Sequence, residues 1–369
     1  MSFYEIVQQY QDFPFEDFFA GISAEEVHQV VAKDTLQPLD FLTLLSPEAA
    51  NHLELIAEKA NRLTVQYFGR TIQLFAPLYI SNYCSNQCIY CGFNTSNSIK
   101  RRKLNLEEID LEARAIAETG IQHLLMLTGE AKAVTPMEYL LEAVACLKKH
   151  FASVSIEIFP MDTDEYRQMQ QAGVDGLTLF QETYNEELYK QVHLRGKKRD
   201  YRYRLDGPER GAKAGMRMVN IGALLGLGEK RSEFFFTGLH ADYLDRRYID
   251  TEISISLPRF NPADCEFQPD YPVDDRTFVQ FLLALRLFQP RFGVTVSTRE
   301  NARMRDNLIQ LGATRFSAGV CTSVGGYSME EDRDPPQFEI TDDRSVVQVA
   351  EAISAHGYQT IYKDWDRGI

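Results

Sequence analysis

Residues 77–93, "PLYISNYCSNQCIYCGF", carry an apolar strand pattern directly into three cysteines. Cys84, Cys88 and Cys91 are spaced C-x3-C-x2-C, in a chain of 369 residues with only six cysteines. A structural zinc site takes four protein ligands. No fourth cysteine lies close, and the nearest histidines, His52 and His123, belong to other segments. A disulfide would leave one thiol over. Thiolates hold iron–sulfur clusters, and three of them on a four-iron cluster leave one iron open, as a catalytic metal site keeps one position free. Cys146 lies in the apolar helical run "LLEAVACLKKHF", and Cys265 and Cys321 are isolated; these three are read as packing or surface thiols.

Outward from this loop the chain alternates short apolar strands with longer helical patterns. Eight strands are expected: "IQLFAPLYIS", "HLLMLTG", "SVSIEIF", "GLTLFQE", "RMVNIGAL", "TEISISL", "GVTVSTR" and "TRFSAGV". Between most of them lie helices such as "NLEEIDLEARAIAETG" and "DDRTFVQFLLALRLF", with Asn, Asp or Thr at their starts and Gly at several ends. Strand and helix alternating in this way predict an α/β fold, a (β/α)8 TIM-like barrel, with an open doubly wound sheet as the alternative. The first residues read as amphipathic helices, one opened by the capping box of "SAEEVHQVVA" and one starting at "SPEAANHLELIAEKA" and stopping at Gly69. They are expected to cap the bottom of the barrel. The division expected is 1–72 for the helical extension, 73–320 for the barrel, and 321–369 for a C-terminal loop and helix.

Barrel chemistry sits at the C-terminal ends of the strands. Besides the cysteine loop, those ends carry "TGE" (128–130), "IEIFP" (156–160), "QETY" (181–184) and "STRE" (297–300). Glu130, Glu157 and Glu182 are acceptor-only carboxylates suited to a cationic amine. Arg299, with Ser297 and with Ser317 on the eighth strand, suits a carboxylate. Thr298 and Glu300 have a plainer reading, as caps of the next helix.

Composition narrows the class. Hydrophobic residues make up 44% and charged residues 25%, ordinary for a globular core. A net charge of −14 argues against wrapping nucleic acid. The densest basic stretch, "RGKKRDYRYR" (195–204), is read as a solvated loop, Arg204 excepted. No apolar run approaches the roughly 20 residues of a membrane span, and the N-terminus lacks a signal-peptide pattern. The expected compartment is the cytoplasm, where thiols stay reduced and clustered cysteines point to metal or catalysis.

The cysteine spacing, with aromatic Tyr90 just before the last cysteine and the first barrel strand just before the loop, resembles the radical S-adenosylmethionine (SAM) superfamily. The resemblance implies a radical SAM (β/α)8 barrel. It also implies a [4Fe–4S] cluster on Cys84, Cys88 and Cys91, whose open iron is chelated by SAM, and a 5′-deoxyadenosyl radical that takes hydrogen from the substrate. "TGE" resembles the family's Gly-Gly-Glu motif, with Thr128 in place of the first glycine, so Glu130 would hold the methionine amine. Arg204 would take the SAM carboxylate, Glu157 and Glu182 would reach the ribose, sulfonium or substrate amine, and "NIGALLGLGE" (220–229) would pack the adenine.

Across most of the chain, "PLYISNYCSNQCIYCGF", "LTGE", "QETY", "GKK", "STRE" and "KDWD" together resemble the 2-iminoacetate synthase family, the tyrosine lyases of thiamine biosynthesis. That resemblance implies cleavage of the Cα–Cβ bond of L-tyrosine to 2-iminoacetate and p-cresol. It also implies thiazole synthase as protein partner and a flavodoxin- or ferredoxin-type electron donor. Glu157, Glu182 and Arg299 are then the candidate catalytic residues, with Arg299, Ser297 and Ser317 as substrate clamp. The tyrosine lyase of hydrogenase maturation is a related alternative. It carries further C-terminal cysteines for a second cluster, whereas this sequence has none after Cys321. A non-catalytic iron–sulfur protein is the alternative from another class, and it would want a fourth protein ligand.

Overall fold

Strand β1, Thr71–Ser81, is buried along nearly all its length, because a barrel covers both faces of every strand. It is followed in chain order by β2 (His123–Thr128), β3 (Ser153–Glu157), β4 (Gly176–Thr178), β5 (Met218–Ile221), β6 (Glu252–Ser256), β7 (Gly293–Val296) and β8 (Arg315–Ser317). The computed structural model describes residues 2–262, 267–328 and 336–363; Cys265 and most of "KDWD" lie outside them. Each strand pairs in parallel with the next, and β8 returns to β1 through Gln73↔Arg315, Leu74↔Phe316 and Phe75↔Ser317. The sheet is therefore closed, and the open-sheet alternative falls. All eight strands lie in the expected stretches.

A ninth strand, β9 (Gln359–Ile361), pairs with Thr71–Gln73 of β1, below the point where β2 takes up the register at Ala76. It follows a helix, Val346–Ala355, capped by Ser345. We retain the division at residues 72 and 320 as a proposal, with β9 as the part of the C-terminal segment that joins the barrel sheet.

Local chemistry sets the helix boundaries. Ser23 and Glu26 form the expected capping box of helix Ala24–Ala32. The helix expected from Ser46 differs: a 3-10 turn, Ala49–His52, comes first, and the α-helix runs Leu53–Phe68. His52, at φ −119° and ψ 25°, breaks the α register between them. The helix ends on Gly69 at φ 66°, as expected.

The N-terminal helices do not cap the barrel bottom. They lie on its flank, against the outer helices Lys230–Arg247 and Asp275–Phe288. Phe3 stacks on His240 at 4.1 Å, Phe41 stacks on Phe288 at 4.6 Å, and Gln280 Nε2 donates to the carbonyls of Leu44 and Ser46. The cause is in the outer helices: "FLLALRLF" (281–288) is apolar nearly all round, and such a helix must be covered on every side. Polar residues close the lower end of the barrel instead. Arg315 donates to Gln73 Oε1 and to Glu252 Oε1, both at 2.7 Å.

Over the upper end passes a strap, residues 336–345. Thr341 N donates to Thr298 O at 2.8 Å, and buried Asp342 pairs with buried Arg305 and with Arg344. Among the described residues no helix is long and apolar enough to cross a membrane.

Candidate active site

The cysteine loop leaves the top of β1 and is stapled by a short antiparallel ladder, Gln87↔Arg195 and Cys88↔His193. Cys88 is buried, Cys84 and Cys91 are partly exposed, and none forms a disulfide. Cys88 and Tyr90 pack with Val192, Leu224 and Leu227. Burial raises all three thiol pKa values; Cys91 is pushed up to about 11, first by burial and then by the charge of Cys84. Three thiols held this close ionise together only when a cationic group joins them, which is the donor chemistry of a metal cluster. Among the described residues no three His, Cys, Asp or Glu side chains converge on one ion position. The thiols fit a group that spreads its ligands over several irons.

Glu130 follows β2 and abuts this loop. Ser85 N and Oγ both donate to Glu130 O, at 3.1 and 2.7 Å. Gly129 must be glycine here, because a Cβ would collide with the carbonyl oxygen of Tyr83. The Glu130 carboxylate accepts from Arg204 Nη1 and from Asn86 Nδ2, each at 2.8 Å, and Lys198 Nζ stands 4.0 Å away. Arg204 Nε also donates to Phe180 O at 2.6 Å.

Glu182 is the one non-glycine residue at positive φ, 73°, among the described residues. Its carboxylate receives Lys198 Nζ at 2.6 Å and lies 3.5 Å from Arg204 Nη2. Burial alone would raise both Glu130 and Glu182, but the two cations overcome it and hold each carboxyl below the usual range. Glu157 has no such pairing. It has no hydrogen-bond partner among the described residues, and burial, then the charge of Glu182, pushes it up to about 7.

Tyr90 hydroxyl meets His193 Nε2 at 2.7 Å, and His193 Nδ1 meets Tyr189 O at 2.8 Å. The carbonyl can only accept, so Nδ1 carries the proton and Tyr90 donates. Burial, then Lys198 and Arg204, pushes His193 down to about 2, so the ring stays neutral.

Arg299 lies at the far side of the mouth. Its guanidinium stacks 3.5 Å from the Phe338 ring centre, its Nη1 donates to Arg259 O at 3.4 Å, and its backbone N donates to Ser297 Oγ at 3.4 Å. Ser317 Oγ accepts from Thr298 N at 3.2 Å and keeps its own proton to donate. The capping reading of Thr298 and Glu300 fails: Asn301 caps helix Ala302–Leu308, and buried Glu300 pairs with Arg259.

A cavity of about 160 Å³ joins these groups; Tyr90, Cys91, Glu157, Glu182, Lys198, Ser297, Arg299 and Ser317 all line it. Glu130 and Arg204 stand behind that wall, tied to it through Lys198 and Glu182, and Cys84 and Cys88 also lie outside the lining. The solvated-loop reading of 195–204 fails at Lys198, which turns inward. Tyr79, whose hydroxyl donates to Gln337 Oε1 at 2.8 Å, and the strap residues Gln337 and Phe338 also line the cavity and had no sequence signal.

Residues 78–237 match the radical SAM superfamily, and residues 256–359 match a biotin and thiamin synthesis associated domain. The chain is 39% identical over 347 residues to 2-iminoacetate synthase of Escherichia coli (strain K12), covering 94% of this chain and 92% of that one. This chain belongs to the 2-iminoacetate synthase family. Radical SAM enzymes of this family use a [4Fe–4S] cluster and S-adenosylmethionine. Its fold also superposes on the crystal structure of HydG, a maturase of the [FeFe]-hydrogenase, with a TM-score of 0.90 and 30% identity, covering 97% of this chain and 80% of that one. Methylornithine synthase (PylB) shares the fold at a TM-score of 0.72 and 22% identity, over 91% of this chain and 97% of that one.

Proposed function

We propose that this 2-iminoacetate synthase homologue is a radical SAM lyase cleaving the Cα–Cβ bond of L-tyrosine to 2-iminoacetate and p-cresol, with 5′-deoxyadenosine and methionine as co-products. The observation that carries the reading is one cavity bounded by Cys91 of the triad and by Arg299, with Glu157 left unpaired in its wall. Cys84, Cys88 and Cys91 would hold the [4Fe–4S] cluster. When bound, cluster and SAM supply a 5′-deoxyadenosyl radical that takes a hydrogen atom from the substrate.

The chain's own residues do the binding and orienting. Glu130 and Arg204 face each other at 2.8 Å, and an amino-acid head group can exchange that pair for two of its own, ammonium to Glu130 and carboxylate to Arg204. Tyr90, fixed by His193, and Leu224 offer an apolar wall to an adenine. For tyrosine, Arg299 takes the carboxylate with Ser297 and the free proton of Ser317. Phe338 holds the guanidinium plane, so the fork is pre-oriented. Glu157 and Glu182 meet the ammonium, and a carboxyl with a pKa of about 7 can take up its proton near neutrality. Fixing both ends of the amino acid orients its amine for hydrogen abstraction.

The imine would feed thiazole formation in thiamine biosynthesis through a thiazole synthase, in the cytoplasm, with the electron coming from a flavodoxin- or ferredoxin-type donor. Identity of 39% over nearly the whole of both chains favours this reading over the hydrogenase-maturation alternative. The test is anaerobic: protein reconstituted with iron and sulfide, then given dithionite, SAM and L-tyrosine. Both 5′-deoxyadenosine and p-cresol are expected. Deoxyadenosine without p-cresol would remove tyrosine as substrate, and neither product from a cluster-loaded sample would leave the non-catalytic reading.

A further inference from the structure

The chain has 53 acidic residues against 39 basic ones, yet residues 83–103 contain no Asp or Glu, and residues 188–199 contain none either. The ladder through Gln87 and Cys88 joins these two acid-free segments into one face. Their backbones touch: a Cβ on Gly196 would collide with Asn86 Oδ1, which also accepts from Lys198 N at 3.0 Å. From this face Arg195, Lys197 and Arg199 project into solvent, while Lys198 between them turns inward to Glu182. None of the three outward cations forms an ion pair among the described residues. Beside them are two exposed apolar side chains, Leu194 at 47% and Tyr83 at 36%. Tyr83 and exposed Ser85 flank Cys84, a partly exposed thiol of the triad.

We propose that this face is the docking surface for a small acidic flavoprotein of the flavodoxin type, which delivers one electron to the thiol-held site; the proposal rests on the radical reading above. On a molecule of net charge −14, an acidic partner is repelled over most of the surface and drawn to a face whose three outward cations are unpaired among the described residues. Tyr83 and Leu194 add exposed apolar surface, which an interface needs once water leaves. In the transfer one electron leaves the reduced flavin and enters this protein. No bond forms or breaks, and no proton moves on this chain.

The test compares two reductants on the cluster-loaded enzyme carrying R195E, K197E and R199E together. Dithionite is small and needs no docking, so dithionite-driven deoxyadenosine formation stays within about twofold of the parent. With flavodoxin, its reductase and NADPH, the rate falls at least about tenfold, the size expected when electrostatic steering is lost. Calorimetric titration with flavodoxin gives a matching rise in Kd, and the parent's Kd weakens as salt rises from about 0.05 to about 0.5 M. The neutral variant R195Q/K197Q/R199Q falls between parent and reversed charge. An unchanged flavodoxin rate and Kd would overturn the proposal. So would equal loss under both reductants in both variants, which would make the three residues structural. A ferredoxin that binds and drives the reaction where flavodoxin does neither would overturn the choice of occupant. Because deoxyadenosine is the readout, a failure of tyrosine as substrate leaves this test intact.

Discussion

At the lower end of the barrel Arg315 is saturated by Gln73 and Glu252, each at 2.7 Å. At the upper end Glu130, Glu182, Lys198 and Arg204 form a similar network; Arg315, Glu157 and Arg299 all border the cavity, but among the described residues Glu157 and Arg299 have no ion pair of their own. Both ends bury charge, and the difference lies in who satisfies it. A charge met entirely by protein holds the barrel together. One left facing a cavity costs stability in the empty protein and is retained because something else comes to meet it.

The largest expected effect is at the triad. Cys88→Ala removes a cluster ligand, and bound iron and SAM cleavage both fall more than about a hundredfold, beyond what loss of a supporting residue costs; iron analysis and deoxyadenosine release check it. At the open end, Arg299→Ala raises KM for tyrosine roughly a hundredfold, the scale of a lost charge-assisted pair. Slow deoxyadenosine formation without p-cresol persists, and an unchanged KM would move the carboxylate site elsewhere.

Glu157 tests the cost of unmet charge. Its folded pKa of about 7 lies above the ordinary 4.5, so between those values the folded protein holds a proton that the unfolded chain has released. Stability from this group is present at low pH and is lost as pH rises from about 4.5 to 7, by roughly 3 kcal/mol in all. Glu157→Gln removes that decline, while Glu233, also about 7, keeps its own share; urea titrations across the window read the difference. The saturated end gives the smallest effect. Glu252→Ala strips Arg315 of its carboxylate and costs about 2 kcal/mol, moderated by the partial exposure of Glu252, with KM for tyrosine unchanged.

What the sequence could reveal follows from distance along the chain. All eight strands were legible because apolar runs bounded by turns are local signals. The triad was legible because its spacing is confined to eight positions, 84 to 91. Lys198 was hidden in a basic run whose other members, Arg195, Lys197 and Arg199, are solvated as expected; nothing local marks which one turns inward. Gln337 and Phe338 reach Tyr79 and Arg299 from a distant strap, and such contacts leave no periodic trace. The N-terminal helices were recognised by their apolar faces, but an apolar face does not name what it packs against. The aromatic-rich outer helices decided that.

The closing pair of the barrel has a consequence for synthesis. On its β8 side Gln73 has to wait for Arg315, and on the other side Thr71 and Gln73 wait for Gln359 and Ile361, later still. While a ribosome is making the chain, β1 emerges early and its β8-side edge stays unpaired until most of the protein has followed. Contacts so far apart in sequence make folding slow, and an apolar strand edge left open is an invitation to aggregate. Cooler expression, or more chaperone, should raise the yield of folded protein more than any substitution at the mouth of the barrel.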